Sequence, residues 1–103
     1  MEYFDKRNLI VEKLMLVIDP EIGMSIVDVG LIYGVEISVS DEVKINMTLT
    51  TSGCPMTDYF LSEIETVLLD LEFVQDVTIV FIWTPPWDIT MMDEEAKMRV
   101  FES

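Results

Sequence analysis

Val35-Glu36-Ile37-Ser38-Val39-Ser40-Asp41-Glu42-Val43-Lys44-Ile45-Asn46-Met47-Thr48-Leu49-Thr50 alternates apolar and polar residues, with one interruption at Ser40-Asp41-Glu42. A period of two places every second side chain on one face, so the run reads as two strands, each with one buried face. The break between them is short and polar, which predicts an antiparallel hairpin. Before the hairpin, Leu9, Ile10, Leu14, Val17 and Ile18 recur at steps of three and four between charges, predicting an amphipathic helix over about 5–18 that Asp19-Pro20 ends. Residues 19–33 read as an ordered connection, mixing Gly23 and Gly30 with Ile22, Ile26, Val29, Leu31 and Ile32.

After the hairpin a long helix is predicted to start just beyond Cys54. Pro55 takes its first position, where a missing N–H costs nothing, and Met56, Phe60, Ile64, Val67, Leu68 and Leu71 form its apolar stripe. Val77–Trp83 is apolar on both faces, with Val77, Ile79, Phe81 and Trp83 on one and Val80 and Ile82 on the other, which predicts a third strand either central in the sheet or at a subunit interface. Thr84-Pro85-Pro86-Trp87 reads as a stiff extended loop, and a short closing helix is predicted from Asp93, an N-cap followed by Glu94 and Glu95. The order is α-β-β-α-β-α. It describes one α+β domain over 1–103, a two-layer sandwich with helices packed on a small, mostly antiparallel or mixed three-stranded sheet.

Composition excludes more than it proposes. The 103 residues carry 6 Lys+Arg against 20 Asp+Glu, no His and one Cys, for a net charge of −14. Without His there is no Ser-His-Asp triad, no Cys-His dyad and no His-ligated zinc. One Cys forms no intrachain disulfide and supplies no four-Cys metal site. The charge repels nucleic-acid phosphates and anionic lipid heads, and residues 45–96 hold ten acids and no base, so no basic patch is hidden in the average. Neither a cleavable signal nor a run long enough to span a bilayer is evident, and a lone free thiol fits a reducing cytoplasm.

Three constellations can carry chemistry. Thr48-Leu49-Thr50-Thr51-Ser52-Gly53-Cys54-Pro55 places the one thiol at a strand-to-helix turn, where unpaired N–H groups and the helix dipole favour the thiolate. Asp58 in the first helical turn opposes that effect, and a buried, packing cysteine is the alternative. Asp19-Pro20-Glu21-Ile22-Gly23, with Asp28 soon after, offers carboxylates for a hard cation or for acid–base work, or simply a helix stop and a solvated acid. Trp83-Thr84-Pro85-Pro86-Trp87 offers either a rigid apolar surface for a partner or a cap on a small core. Met91-Met92 has no second thioether pair or His beside it and reads as core or interface filler rather than a copper(I) site.

These segments occur in order with Asp28-Val29-Gly30-Leu31-Ile32, and together they resemble the SufT/PaaD-like family of iron–sulfur cluster maturation domains, which includes the eukaryotic cytosolic iron–sulfur targeting factors. The resemblance spans about residues 5–101. It implies a fold related to the NifU C-terminal domain and a role in delivering or inserting clusters into apo-proteins, often alongside a P-loop carrier ATPase. It implies a site with Cys54 as the reactive or cluster-binding thiol, supported by Asp19, Glu21, Thr50 and Thr51. Asp28, Gly53 and Pro55 would shape that site, and the Trp83, Pro85, Pro86, Trp87 loop would close over it.

The departures from the family pattern are Ser52 in place of a frequent proline and Phe73 in place of a frequent glycine. With no further cysteine before Ser103, a standalone SufT-like member is favoured over PaaD. The expectation is a maturation factor without turnover of its own. One thiol does not hold a cluster stably, so any iron–sulfur cluster would be transient, shared across a homodimer or with a client. A pure interaction adaptor working through the Trp-Pro-Pro-Trp loop is the alternative. A thiol enzyme would have to use Asp19 or Glu21 as its base.

Overall fold

Val43, Ile45 and Met47 are all buried, as the alternation requires, and they lie on the central strand of the sheet. A computed structural model describes residues 2–50 and 57–92. Its elements are α1 (Tyr3–Leu14), β1 (Ile18–Asp19), β2 (Met24–Ser25), α2 (Ile26–Val29), β3 (Ile32–Ile37), β4 (Glu42–Met47), α3 (Thr57–Leu69), β5 (Asp76–Phe81) and a 3-10 turn at Ile89–Met91. The main sheet has the order β3-β4-β5, with β3 antiparallel and β5 parallel to β4, and Ile45 stands opposite both Val35 and Ile79. Helices α1 and α3 pack together and onto the sheet. Ile10 and Leu14 from α1, and Phe60, Ile64 and Leu68 from α3, meet Val35, Val43, Ile45 and Met47 in one core. Each such side chain contributes about 1.5–3 kcal/mol of burial free energy. The expected α+β architecture with a small mixed sheet is the one observed.

Several local expectations are corrected. The first helix ends at Leu14, not Ile18: the N–H groups of Leu16 and Val17 reach back only three residues, to the carbonyls of Lys13 and Leu14, tightening the last turn. Val17 is buried from extended chain, while Ile18 is 42% exposed on β1, so the helical spacing of these two was fortuitous. The 19–33 connection is ordered but contains a small hairpin, β1–β2, and the one-turn helix α2. The strand expected to include Val39 stops at Ile37. Ser38 Oγ there accepts the N–H groups of Ser40 and Glu42, turning the chain and leaving Val39 fully exposed.

Of the two places expected for the third strand, the central one falls to β4: among the described residues β5 is an edge of the sheet. Helix α3 is seen from Thr57, so its expected start at Pro55 and the stripe residue Met56 lie outside the described residues, as does the helix expected from Asp93. The Phe73 ring lies 5.6 Å beneath the Lys6 ammonium, which also pairs with Asp41 at 2.5 Å.

Candidate functional site

One end of the sheet gathers the segments singled out in the sequence. Ile26 donates its N–H to Val17 O, tying α2 to the chain entering β1, and Thr48 donates to Leu31 O, so the chain leaving β4 runs beside the exit from α2. Tyr59, in the first described turn of α3, donates its hydroxyl to Ile18 O at 3.2 Å. The two described flanks of the segment holding Cys54 therefore both dock at this end. Cys54, Thr51, Gly53 and Pro55 themselves lie outside the described residues.

Asp19 is 4% exposed, and its Oδ1 accepts the N–H groups of Glu21 at 2.8 Å and Ile22 at 3.4 Å, while its carbonyl accepts from Gly23. That is an Asx turn, and it fixes the hairpin between β1 and β2. Glu21 points from this turn into solvent, and Thr50 is half-buried beyond β4. Asp28 is half-buried on α2. Ser25 Oγ caps that helix by accepting the N–H groups of Val27 and Asp28 at 3.1 and 3.2 Å. Every fully buried side-chain nitrogen or oxygen among the described residues has a hydrogen-bond partner. Among those residues, no group of three or more Cys, Asp or Glu side chains is arranged to hold a metal ion.

The loop after β5 meets the 28–33 segment directly. It bends at Thr84-Pro85, where the peptide is cis, and Pro85 and Pro86 are exposed. Trp87 is half-buried, and its indole N–H donates to Val29 O at 2.9 Å. Tyr33 donates its hydroxyl to Pro85 O at 2.7 Å, with Met91 Sδ 3.5 Å away. Gly30 has φ +85°, and a Cβ there would overlap the Met91 carbonyl. Trp83 is 42% exposed and stacks on Phe81, ring centroids 6.2 Å apart. The two tryptophans thus differ: one ties the loop down and the other faces solvent.

Tyr33, Tyr59 and Ser25 were not foreseen. Ser25 had a local signal, since Ser25-Ile26-Val27-Asp28 fits a capping box. Tyr33 had none, because a one-residue bulge between Ile32 and Gly34 aims it at the loop.

A small mixed-sheet α+β domain, with one thiol in the segment between its central strand and its long helix, is the class of molecule so defined. The chain belongs to the iron–sulfur cluster assembly protein family, which it matches over residues 8–80. It is 40% identical over 85 residues to the Fe-S protein maturation auxiliary factor SufT of Staphylococcus aureus, covering 82% of this chain and 97% of that protein. It is 39% identical over 100 residues to the Fe-S protein maturation auxiliary factor YitW of Bacillus subtilis, covering 97% of each chain. The crystal structure of the domain of unknown function DUF59 from Bacillus anthracis superposes with a TM-score of 0.91 at 33% identity, over 97% of this chain and 95% of that one. The family read from the ordered motifs is therefore the right one.

Proposed function

We propose that this protein is an auxiliary factor in the maturation of iron–sulfur proteins, and that it passes a cluster to client apo-proteins through Cys54. The observation that carries this reading is the single thiol of a family member, in a segment whose flanks are both docked against α2 and the Asp19 hairpin. An iron–sulfur cluster takes four thiolate ligands or their equivalents. One chain provides one, so the remaining positions fall to a second copy, to glutathione or to client cysteines. Sparse ligation suits a cargo that has to leave. Asp19 is already bonded to two backbone N–H groups, which supports a role in shaping the hairpin, while solvent-facing Glu21 is the freer carboxylate to take up a proton or a weak metal contact.

Anaerobic reconstitution with iron and sulfide tests the carrier step. A cluster absorption band is expected, together with its loss in Cys54→Ser. Client loading that stayed complete in Cys54→Ser would refute delivery through the thiol.

A second reading is favoured by the exposure of Trp83, Pro85 and Pro86. Here the protein recruits a client or a P-loop carrier ATPase through that loop, and Cys54 only packs. Capture of such a partner that is abolished by Trp83→Ala but unaffected by Cys54→Ser would select this adaptor role.

A further inference from the structure

We propose that the edge of β5, open among the described residues, with the acidic sheet face beside it, is a docking strand for an extended segment of a partner protein in which apolar and basic residues alternate. This surface does not depend on what Cys54 carries.

Edge strands of stable proteins are usually blunted by charge, proline or a bulge, because their unpaired N–H and C=O groups recruit other strands. Val77–Trp83 contains no charged residue and no proline. Among the described residues no strand pairs with its outer side. The direction of the free groups follows from the ladder. Ile82 donates its N–H to Met47 O, so Thr78, Val80 and Ile82 turn their backbone groups towards β4. Val77, Ile79 and Phe81 turn theirs outward, and their side chains pack against the core. An added strand would set one row of side chains alongside these three, which calls for apolar residues. Its other row would lie on the open face beside Asp76, Thr78 and Val80, the last 37% exposed.

That open face is negatively charged. Glu42 and Asp76 are register neighbours across β4 and β5, both are exposed, and neither has an ion pair among the described residues. Like charges directly opposite each other destabilise a sheet unless a cation is supplied. Among the described residues the one base on this face, Lys44, lies 3.7 Å from Glu36. An open groove of about 610 Å³ runs between these side chains, lined by Glu36, Glu42, Lys44, Asp76 and Thr78 among others. An added strand would lie next to Asp76 and about 10 Å from Glu42, within a Debye length of both carboxylates at low salt. Lysine or arginine at every second position would meet them. A second copy of this chain, at a net charge of −14, would bring more acids instead.

The test uses the full protein and two synthetic eight-residue peptides, alternating Val-Lys and alternating Val-Glu, followed by fluorescence anisotropy. The Val-Lys peptide is expected to bind at least about tenfold more tightly at low salt, with the advantage shrinking above 0.15 M. Val80→Lys, exposed on the open face, should weaken the Val-Lys peptide about tenfold without changing thermal stability, and Asp76→Asn should narrow the preference between peptides.

Strand pairing itself is read by N-methylating the Val-Lys peptide either at every Val or at every Lys. Loss of binding in one of the two is expected, at Val if the added strand is antiparallel and at Lys if it is parallel. Equal binding by the Val-Lys and Val-Glu peptides, or equal effects of both methylation patterns, would overturn the proposal. So would failure of both peptides, including where sedimentation shows a dimer that Val80→Lys dissociates, since a second copy would then be the occupant.

Discussion

The indole N–H of Trp87 donates to the carbonyl of Val29 at 2.9 Å, fastening the loop after β5 to the last turn of α2, 58 residues earlier in the chain. Val29 is fully buried, so its carbonyl has little access to water if the indole leaves. Trp87→Phe keeps an aromatic ring and removes the donor. The expected loss is about 1–2 kcal/mol, with Tm falling by about 4–8 °C per kcal/mol in a domain of this size. Trp83→Phe, at an exposed ring, should stay within about 0.5 kcal/mol of the parent. Paired thermal melts check both, and equal effects would show that the Val29 bond contributes nothing.

Gly23 and Gly30 both have left-handed backbone, φ +79° and +85°, but only Gly30 is crowded. An L side chain in that region costs about 1–2 kcal/mol at either position. A Cβ added at Gly23 would meet nothing within 4 Å, whereas at Gly30 the Met91 backbone occupies its place. Gly30→Ala should therefore be the more destabilising of the two by about 1–3 kcal/mol, because the loop must lift or the turn must open. Denaturant unfolding of the two variants separates backbone strain from crowding. Similar losses would mean that the loop yields freely.

The contact between Gly30 and Met91 also shows where sequence reading stops. Val43, Ile45 and Met47 announce their strand because period-two alternation is local and one face is buried. Phe60, Ile64 and Leu68 announce their helix face in the same way. Gly30 and Met91 stand 61 positions apart, and nothing local says that they touch. The direction of β5 was equally hidden. A strand apolar on both sides was expected to be central or at a subunit interface; among the described residues β4 takes the central place and β5 lies at the edge. Val17 and Ile18 misled because three-and-four spacing also occurs where a helix gives way to extended chain, and only the backbone bonds reveal the change. At the candidate site, the sequence marked Asp19 as a carboxylate for a cation or for acid–base work, or as a helix stop. Its two backbone hydrogen bonds add a part in holding the hairpin.

Those bonds make a direct prediction for Asp19. Asn keeps a side-chain carbonyl that can accept from Glu21 and Ile22, and Ala keeps none. Asp19→Asn should leave stability within about 0.5 kcal/mol, while Asp19→Ala should lose about 1–2 kcal/mol as the turn's N–H groups lose their acceptor. Client loading measured on the Asn variant then isolates the charge. Retained loading is the expected result, and a loss of loading at unchanged Tm would assign the carboxylate to the chemistry.

Lys13 and Asp70 join α1 to the end of α3 by an ion pair of 2.6 Å. The hydrogen bond from Lys13, and then its charge, hold the Asp70 carboxyl below its ordinary value of 3.8. A lowered folded-state pKa means that the pair stabilises the fold above the ordinary carboxylate range, and that the contribution is lost as pH falls through the lowered value. Asp70 is open to solvent, so salt should screen the interaction: at about 1 M the Debye length is only about 3 Å. Carboxyl NMR titration should find Asp70 below 3.8 at low salt, moving up towards 3.8 in Lys13→Met and in high salt. An Asp70 that titrates at its ordinary value in the parent protein, unmoved by Lys13→Met, would show that the pair does not persist in solution.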